Sequence, residues 1–263
     1  MQEILRESGV NAAARVARLR AQGGTDAVLK AIGDIRSGSS RRAHYTALLD
    51  APGLDDGDVE RAVRHATREL HGSDGDLRAV LQSVPERAHR APGVRAALAA
   101  GAVSMESDGD RRAVHVPLAE EGDREIVLAA LEGARAMDSD GDTRAVLVAA
   151  APSLSRDDAA LRTAYFAAAR GIDSDGDLTA VLVAAMQRAP ASPALASAVL
   201  DAVRAIDSDG DAARVLVTLA RRGLVTTPEL RERYTAEARR LSDGDERRAM
   251  NALGTRENGA ERY

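Results

Sequence analysis

The sequence predicts an all-α fold: an α-solenoid of about seven helix-turn-helix repeats of roughly 34 residues, HEAT-like in packing and wound as a right-handed superhelix. Three observations predict it. The tetrapeptide Ser-Asp-Gly-Asp occurs six times, beginning at Ser73, Ser107, Ser139, Ser174, Ser208 and Ser242, at steps of 34, 32, 35, 34 and 34 residues. Each copy opens an apolar segment with helical spacing, and a second such segment precedes the next copy. Aromatic residues are only 2% of a chain that is 44% hydrophobic, so alanine, valine and leucine carry the core, which suits closely packed helices.

The first helix of each repeat, helix A, follows the motif directly, as in "RAVLVAA" from Arg144, "TAVLVAA" from Thr179 and "ARVLVTLA" from Ala213. The second, helix B, reads "REIVLAALEGARAM" from Arg124, "DAALRTAYFAAARGI" from Asp158 and "ALASAVLDAVRAI" from Ala194. Between them lie Pro52, Pro85, Pro92, Pro117, Pro152, Pro190, Pro193 and Gly223. Proline lacks an amide donor and clashes with the preceding turn, so helices are expected to stop there. Two short helices cannot bury their apolar stripes alone, and stacking with neighbours buries them. A worn copy is expected 34 residues before Ser73, at Ser39, and a weaker one at Ser8. The domain reading is one solenoid over residues 1–253, worn over 1–72 and regular over 73–253, with 254–263 a disordered tail.

The motif itself admits two readings. As a helix start, serine caps the amide three residues on, the second aspartate reaches back to the cap's own amide, and the first aspartate meets the helix dipole. Glycine between them leaves room for the preceding helix B to pass closely. Asp74–Arg78, Asp108–Arg112, Asp140–Arg144 and Asp243–Arg247 have the acid-then-base order that favours i,i+4 pairs. Arg135, Arg170 and Arg204, four residues before a serine, fall in the last turn of helix B, where a cation faces unsatisfied carbonyls. As a calcium loop the motif is incomplete. Counted from Asp138, the glycine position holds Thr143 and the closing-glutamate position holds Ala149. The looser alternative is a ladder of divalent-cation sites made from Asp138, Asp140, Asp142, Asp173, Asp175, Asp177, Asp207, Asp209 and Asp211.

The pattern Ser-Asp-Gly-Asp-x-Arg-x-Val-Leu resembles the Ser-Asp-Tyr/Gly-Asp/Glu-x-Arg-x-x-Leu-Leu helical repeats of bacterial proteins, some of which sit beside membrane metallopeptidase domains of the BlaR type. The resemblance covers 73–253 well and 8–72 poorly. It implies a TPR-like or HEAT-like helical array. It does not carry protease activity, because the chain has no His-Glu-x-x-His motif.

Composition limits the remaining functions. Net charge is −5 with both signs interspersed, so no basic stripe implies nucleic acid, and no apolar run is long enough to span a membrane. Without cysteine there is no disulfide, thiolate site or cysteine nucleophile. No nucleophile elbow, P-loop or dinucleotide fingerprint occurs, and the acids recur with the repeat whereas an active site is singular. His44 and His115 sit among apolar neighbours in A helices and read as packed rather than catalytic. In the adjacent pair Tyr165 and Phe166 one ring reads as packed between neighbouring B helices; the alternative is a partner-binding surface, to which Tyr234, also in a B helix, would belong. Catalytic and cofactor residues are therefore expected to be none, with calcium the one possible ion. The chain starts late in one repeat and stops after a helix A, as a fragment of a longer array or a head-to-tail assembling unit does; the latter forms rings or filaments. The expected role is a non-enzymatic scaffold for protein partners or self-association, with a cytoplasmic location favoured.

Overall fold

A computed structural model describes residues 9–155 and 157–260. The expected helical turns over "MQEILRE", the Ser8 cap and the last three residues of the expected tail lie outside the described residues. Every regular element among the described residues is helical. In chain order these are α1 (Ala12–Gly33), α2 (Gly38–Leu49), α3 (Asp56–Glu69), α4 (Asp74–Gln82), α5 (Pro92–Val103), α6 (Asp108–Glu120) and α7 (Arg124–Ala134). They continue with α8 (Asp140–Ala150), α9 (Ala159–Ala169), α10 (Asp175–Arg188), α11 (Pro193–Ala202), α12 (Asp209–Arg221), α13 (Pro228–Ala238) and α14 (Asp243–Ala260). None of these helices is long and apolar enough to cross a membrane.

The helices alternate as A and B, in an all-α helical-repeat fold of solenoid type. α1 is itself a pair, broken at Gly23 and Gly24, where Gly24 takes a φ of 65° that favours glycine. Packing divides the chain into two compact units, 1–118 and 119–263. In the first unit α2 packs on α4 and α3 on α5. In the second, the A helices α8, α10, α12 and α14 pack in succession, and so do the B helices α7, α9, α11 and α13. Each B helix α9, α11 and α13 also touches an adjacent A helix. Two layers, each stacked on its own kind, bury the stripes that a lone pair leaves open.

The core is alanine, valine, leucine and isoleucine, with three tyrosines fully enclosed. Position within the repeat decides burial. Seven residues after the cap stand Val80, Val146, Val181 and Val215; eight after it stand Leu81, Leu147, Leu182 and Leu216, all at most 2% exposed. His115 occupies the leucine position in its repeat and is 1% exposed.

Three sequence expectations are corrected. α6 runs through Pro117 to Glu120 instead of stopping there. Proline at that position cannot donate to the Ala113 carbonyl four residues back, and the Gln82 side-chain amide of α4 donates to it instead, at 2.8 Å. The cap of the worn repeat is Ser37, not Ser39: its hydroxyl accepts from the Ser40 amide at 3.3 Å. That shift puts Gly38 and Ser40 where the two aspartates stand elsewhere and leaves Arg42 in register with Arg78. α14 continues past Gly254 to Ala260, so the segment expected to be a disordered tail is helical that far.

Candidate functional site: the motif ladder

Serine performs the expected capping. Ser107, Ser139, Ser174 and Ser208 each accept from the amide three residues on, at 3.2–3.3 Å. The aspartates, however, act between repeats. The first aspartate of one motif accepts from the backbone amides that open the next. Asp74 takes Glu106 and Ser107, at 2.9 and 2.8 Å. Asp140 takes Ser174 at 2.7 Å. Asp175 takes Asp207 and Ser208, at 3.1 and 2.7 Å. Asp209 takes Ser242 at 3.0 Å. The cap's own amide is thus satisfied by the preceding repeat, not by the second aspartate of its own motif.

The second aspartate is met by arginine from the preceding repeat. Arg42 pairs with Asp76 at 3.0 Å, Arg78 with Asp110 at 2.7 Å and Arg144 with Asp177 at 2.5 Å. The expected Asp74–Arg78 and Asp140–Arg144 pairs inside one helix are therefore replaced by pairs across the repeat. The physical reason is demand: two amides outside the helix need an acceptor, and a charged acceptor makes the stronger bond. With the first carboxylate committed there, its arginine turns to the next motif.

The worn repeat provides a contrast. Gly38 offers no carboxylate, and the next cap, Ser73, adopts φ −128°, ψ 65° with no side-chain capping bond. Its amide turns to the Leu70 carbonyl at 2.9 Å. The caps that receive an aspartate, Ser174 and Ser208, hold φ −73° and −72° with ψ 115° and 112°. The glycine of the motif has no packing role: a Cβ at Gly75, Gly141, Gly176, Gly210 or Gly244 would meet nothing within 4 Å. The expected close passage of helix B over this glycine does not occur.

Other arginines serve helix ends. Arg41 donates through Nε to Ile35 O at 2.6 Å and Arg111 to Met105 O at 2.9 Å, each from four residues after a cap. Sequence reading missed both, although their shared register marks them. Arg135 and Arg170 are C-caps as expected, but Arg204 reaches the next B helix, where its Nε meets Glu237 Oε1 at 2.7 Å. Glu237 is 4% exposed and also receives Arg240 at 2.6 Å. These two residues edge a polar cavity of about 200 Å³ whose wall includes Asp207 and Asp209. Glu237 was not among the residues the sequence marks, because nothing in its own helix hints that Arg204 lies above it.

The three aromatic candidates are corrected as a partner surface. Tyr165 and Tyr234 are 0% exposed and Phe166 is 4% exposed. Tyr165 donates to Val181 O at 3.2 Å and Tyr234 to Ala249 O at 2.8 Å. Both acceptors lie seven residues after a cap, so the two hydroxyls make the same tie from a B helix to the following A helix. Tyr45 is likewise enclosed, its hydroxyl bonded to His65 Nδ1 at 2.5 Å.

His44 and His115 are buried as expected. His44 Nδ1 lies 2.8 Å from Ser40 O. Neither nitrogen of His115 has a hydrogen-bond partner among the described residues. Burial, with a smaller push from Arg111, lowers its pKa to about 4. Burial also lowers the pKa of His44 and His65.

Asp140, Asp175 and Asp209 spend carboxylate oxygens on amides, and Asp177 faces Arg144. Among the described residues, no three acids or histidines come together in a cluster that could hold a metal ion. Comparison with protein-family models, with curated proteins and with solved structures gives no match.

Proposed function

We propose that the chain is a non-enzymatic helical-repeat scaffold that works through protein–protein contact or self-association. The observation that supports this most is where the motif's chemistry goes. Aspartate, arginine and serine are used to join one repeat to the next, so the residues that look most functional in the sequence are structural. What remains for recognition is the outer surface of the stacked helices, such as Ala180 and Val183 on α10, which are half-exposed. A stack of short helices offers a long surface built from many equivalent positions. The resemblance to bacterial helical repeats points the same way.

Photo-reactive groups placed singly on exposed A-helix and B-helix positions test the reading. Cross-links, to a partner or to a second copy, are expected to cluster on one helix layer. Cross-links spread evenly over both layers, or a chain that stays monomeric and captures nothing specifically, overturn it.

A further inference from the structure

The seam between α2 and α3 is tied by a different kind of bond from the other tyrosine ties. Tyr165 and Tyr234 donate to backbone carbonyls, Val181 O and Ala249 O, which do not titrate. Tyr45, on α2, instead meets His65 Nδ1, on α3, at 2.5 Å, with ring centroids 5.9 Å apart and planes tilted by 56°. Tyr45 is 0% exposed, and this imidazole nitrogen is the one partner of its hydroxyl among the described residues. An enclosed hydroxyl needs an acceptor, and that need assigns the roles: Tyr45 donates, Nδ1 accepts, and the neutral ring carries its hydrogen on Nε2. His65 itself is half-buried. Burial is the largest influence on its pKa and lowers it; Glu69 on α3 raises it, and Arg68 on α3 and Arg41 on α2 lower it. α1, α4 and α5 also pack on α3, and no charged group among their described residues acts on the ring. α1 approaches it with Gly33, where an added Cβ would lie 4.0 Å from His65 Cε1.

We propose that Tyr45 and His65 form an acid-released latch between α2 and α3. With the imidazole neutral, Nδ1 accepts from the phenol and the seam is closed. When the ring takes a proton, both nitrogens carry hydrogen and Nδ1 can only donate. The Tyr45 oxygen must then accept, and its own hydrogen is left enclosed with no acceptor. Ionisation of the phenol offers no relief, because burial, and then the Glu69 carboxylate, push its pKa up. The half-buried ring regains water by turning away from Tyr45, and the tie between the two helices is lost. The device goes beyond the scaffold reading and does not depend on it: it makes one A–B seam of the unit 1–118 sensitive to pH, where Tyr165 and Tyr234 make ties that are not.

Nuclear magnetic resonance of the 15N-labelled full-length chain tests the latch, with the imidazole nitrogens followed from about pH 8 to about pH 5. The His65 signals are assigned by their loss in His65→Gln. At pH 7.5 Nδ1 is expected to lack a hydrogen and Nε2 to carry one. The ring is expected to titrate below the ordinary value of 6.5. Tyr45→Phe removes the donor that favours the neutral ring, and is expected to raise its proton affinity at least about threefold. A histidine merely packed beside the phenol would show no such rise. Nuclear Overhauser contacts between the Tyr45 and His65 rings are expected above the midpoint and lost below it. A hydrogen on Nδ1 at pH 7.5, a midpoint that Tyr45→Phe leaves unchanged, or ring contacts that persist through the titration overturns the proposal. Circular dichroism checks that Tyr45→Phe stays folded; if it does not, the tautomer and the ring contacts of the parent chain still decide.

Discussion

Asp175 concentrates the structural work of the motif in one side chain. Its two oxygens receive the Asp207 and Ser208 amides, so truncation leaves two helix-opening donors without their charged acceptor. Asp175→Ala is expected to lower stability by about 1–3 kcal/mol. Arg144→Ala removes an ion pair whose arginine side chain is 46% exposed, and is expected to cost about 0–1 kcal/mol. Urea melts of the two variants check this ordering, and an arginine effect equal to the aspartate effect would refute it. His115 makes a second residue-scale case. It stands where other repeats place leucine, and its buried nitrogens have no partner among the described residues. His115→Leu is therefore expected to stabilise the chain, by about 1–3 kcal/mol at pH 7. The pH dependence follows from its lowered pKa. In the unfolded chain the ring takes a proton near pH 6.5; in the folded chain it does so only near 4. Stability is thus full above about pH 6.5, falls as pH drops through that window, and has lost about 3 kcal/mol from this group by about pH 4. The leucine variant is expected to lack that share of the acid loss in melts recorded from pH 7.5 to 4.5.

Helix boundaries tell the same story from the element side. The 34-residue spacing, the serine caps and the alternation of A and B segments were all legible, because capping and apolar periodicity are local and repeat with the sequence. What was not legible lies between repeats. Asp74 and Arg78 are one turn apart in the same helix, and local rules pair them. Their real partners, Ser107 and Asp110, lie about one repeat further along, where no local rule reaches. Pro117 was misread for the same reason: a helix is expected to break there unless a neighbour supplies the missing donor, and Gln82 does so from α4. Gln82→Ala is expected to destabilise the chain by about 0.5–1.5 kcal/mol, more than the same change at exposed Gln187 on α10. Equal melting temperatures for the two alanine variants would rule out the bridging role. The motif glycines make the opposite prediction. With no neighbour within 4 Å of an added Cβ at Gly141, Gly176 or Gly210, alanine there gains helix propensity without a clash. Each substitution is expected to add up to about 0.5–1 kcal/mol, and the triple variant to melt at a higher temperature than the parent.

At the scale of the whole molecule, histidine is unevenly distributed. All five histidines precede residue 118, and the three whose pKa is lowered by burial, His44, His65 and His115, belong to the unit 1–118. The unit 119–263 has no histidine, and its internal ion pairs rest on arginine with aspartate or glutamate. Acidification from pH 7.5 to 5 is therefore expected to act on the unit that holds the histidines. A histidine whose pKa burial lowers favours the open form of the first unit as pH falls, since the opened ring binds a proton more readily than the folded one. Hydrogen exchange followed peptide by peptide is expected to accelerate in α2, α3 and α6 at pH 5, after correction for the intrinsic pH dependence of exchange, with α8, α10 and α12 unchanged. His115→Leu should remove part of that acceleration, most clearly in α6. Uniform acceleration across both units would mean that acid sensitivity is set by the shared carboxylate ladder and not by the enclosed imidazoles.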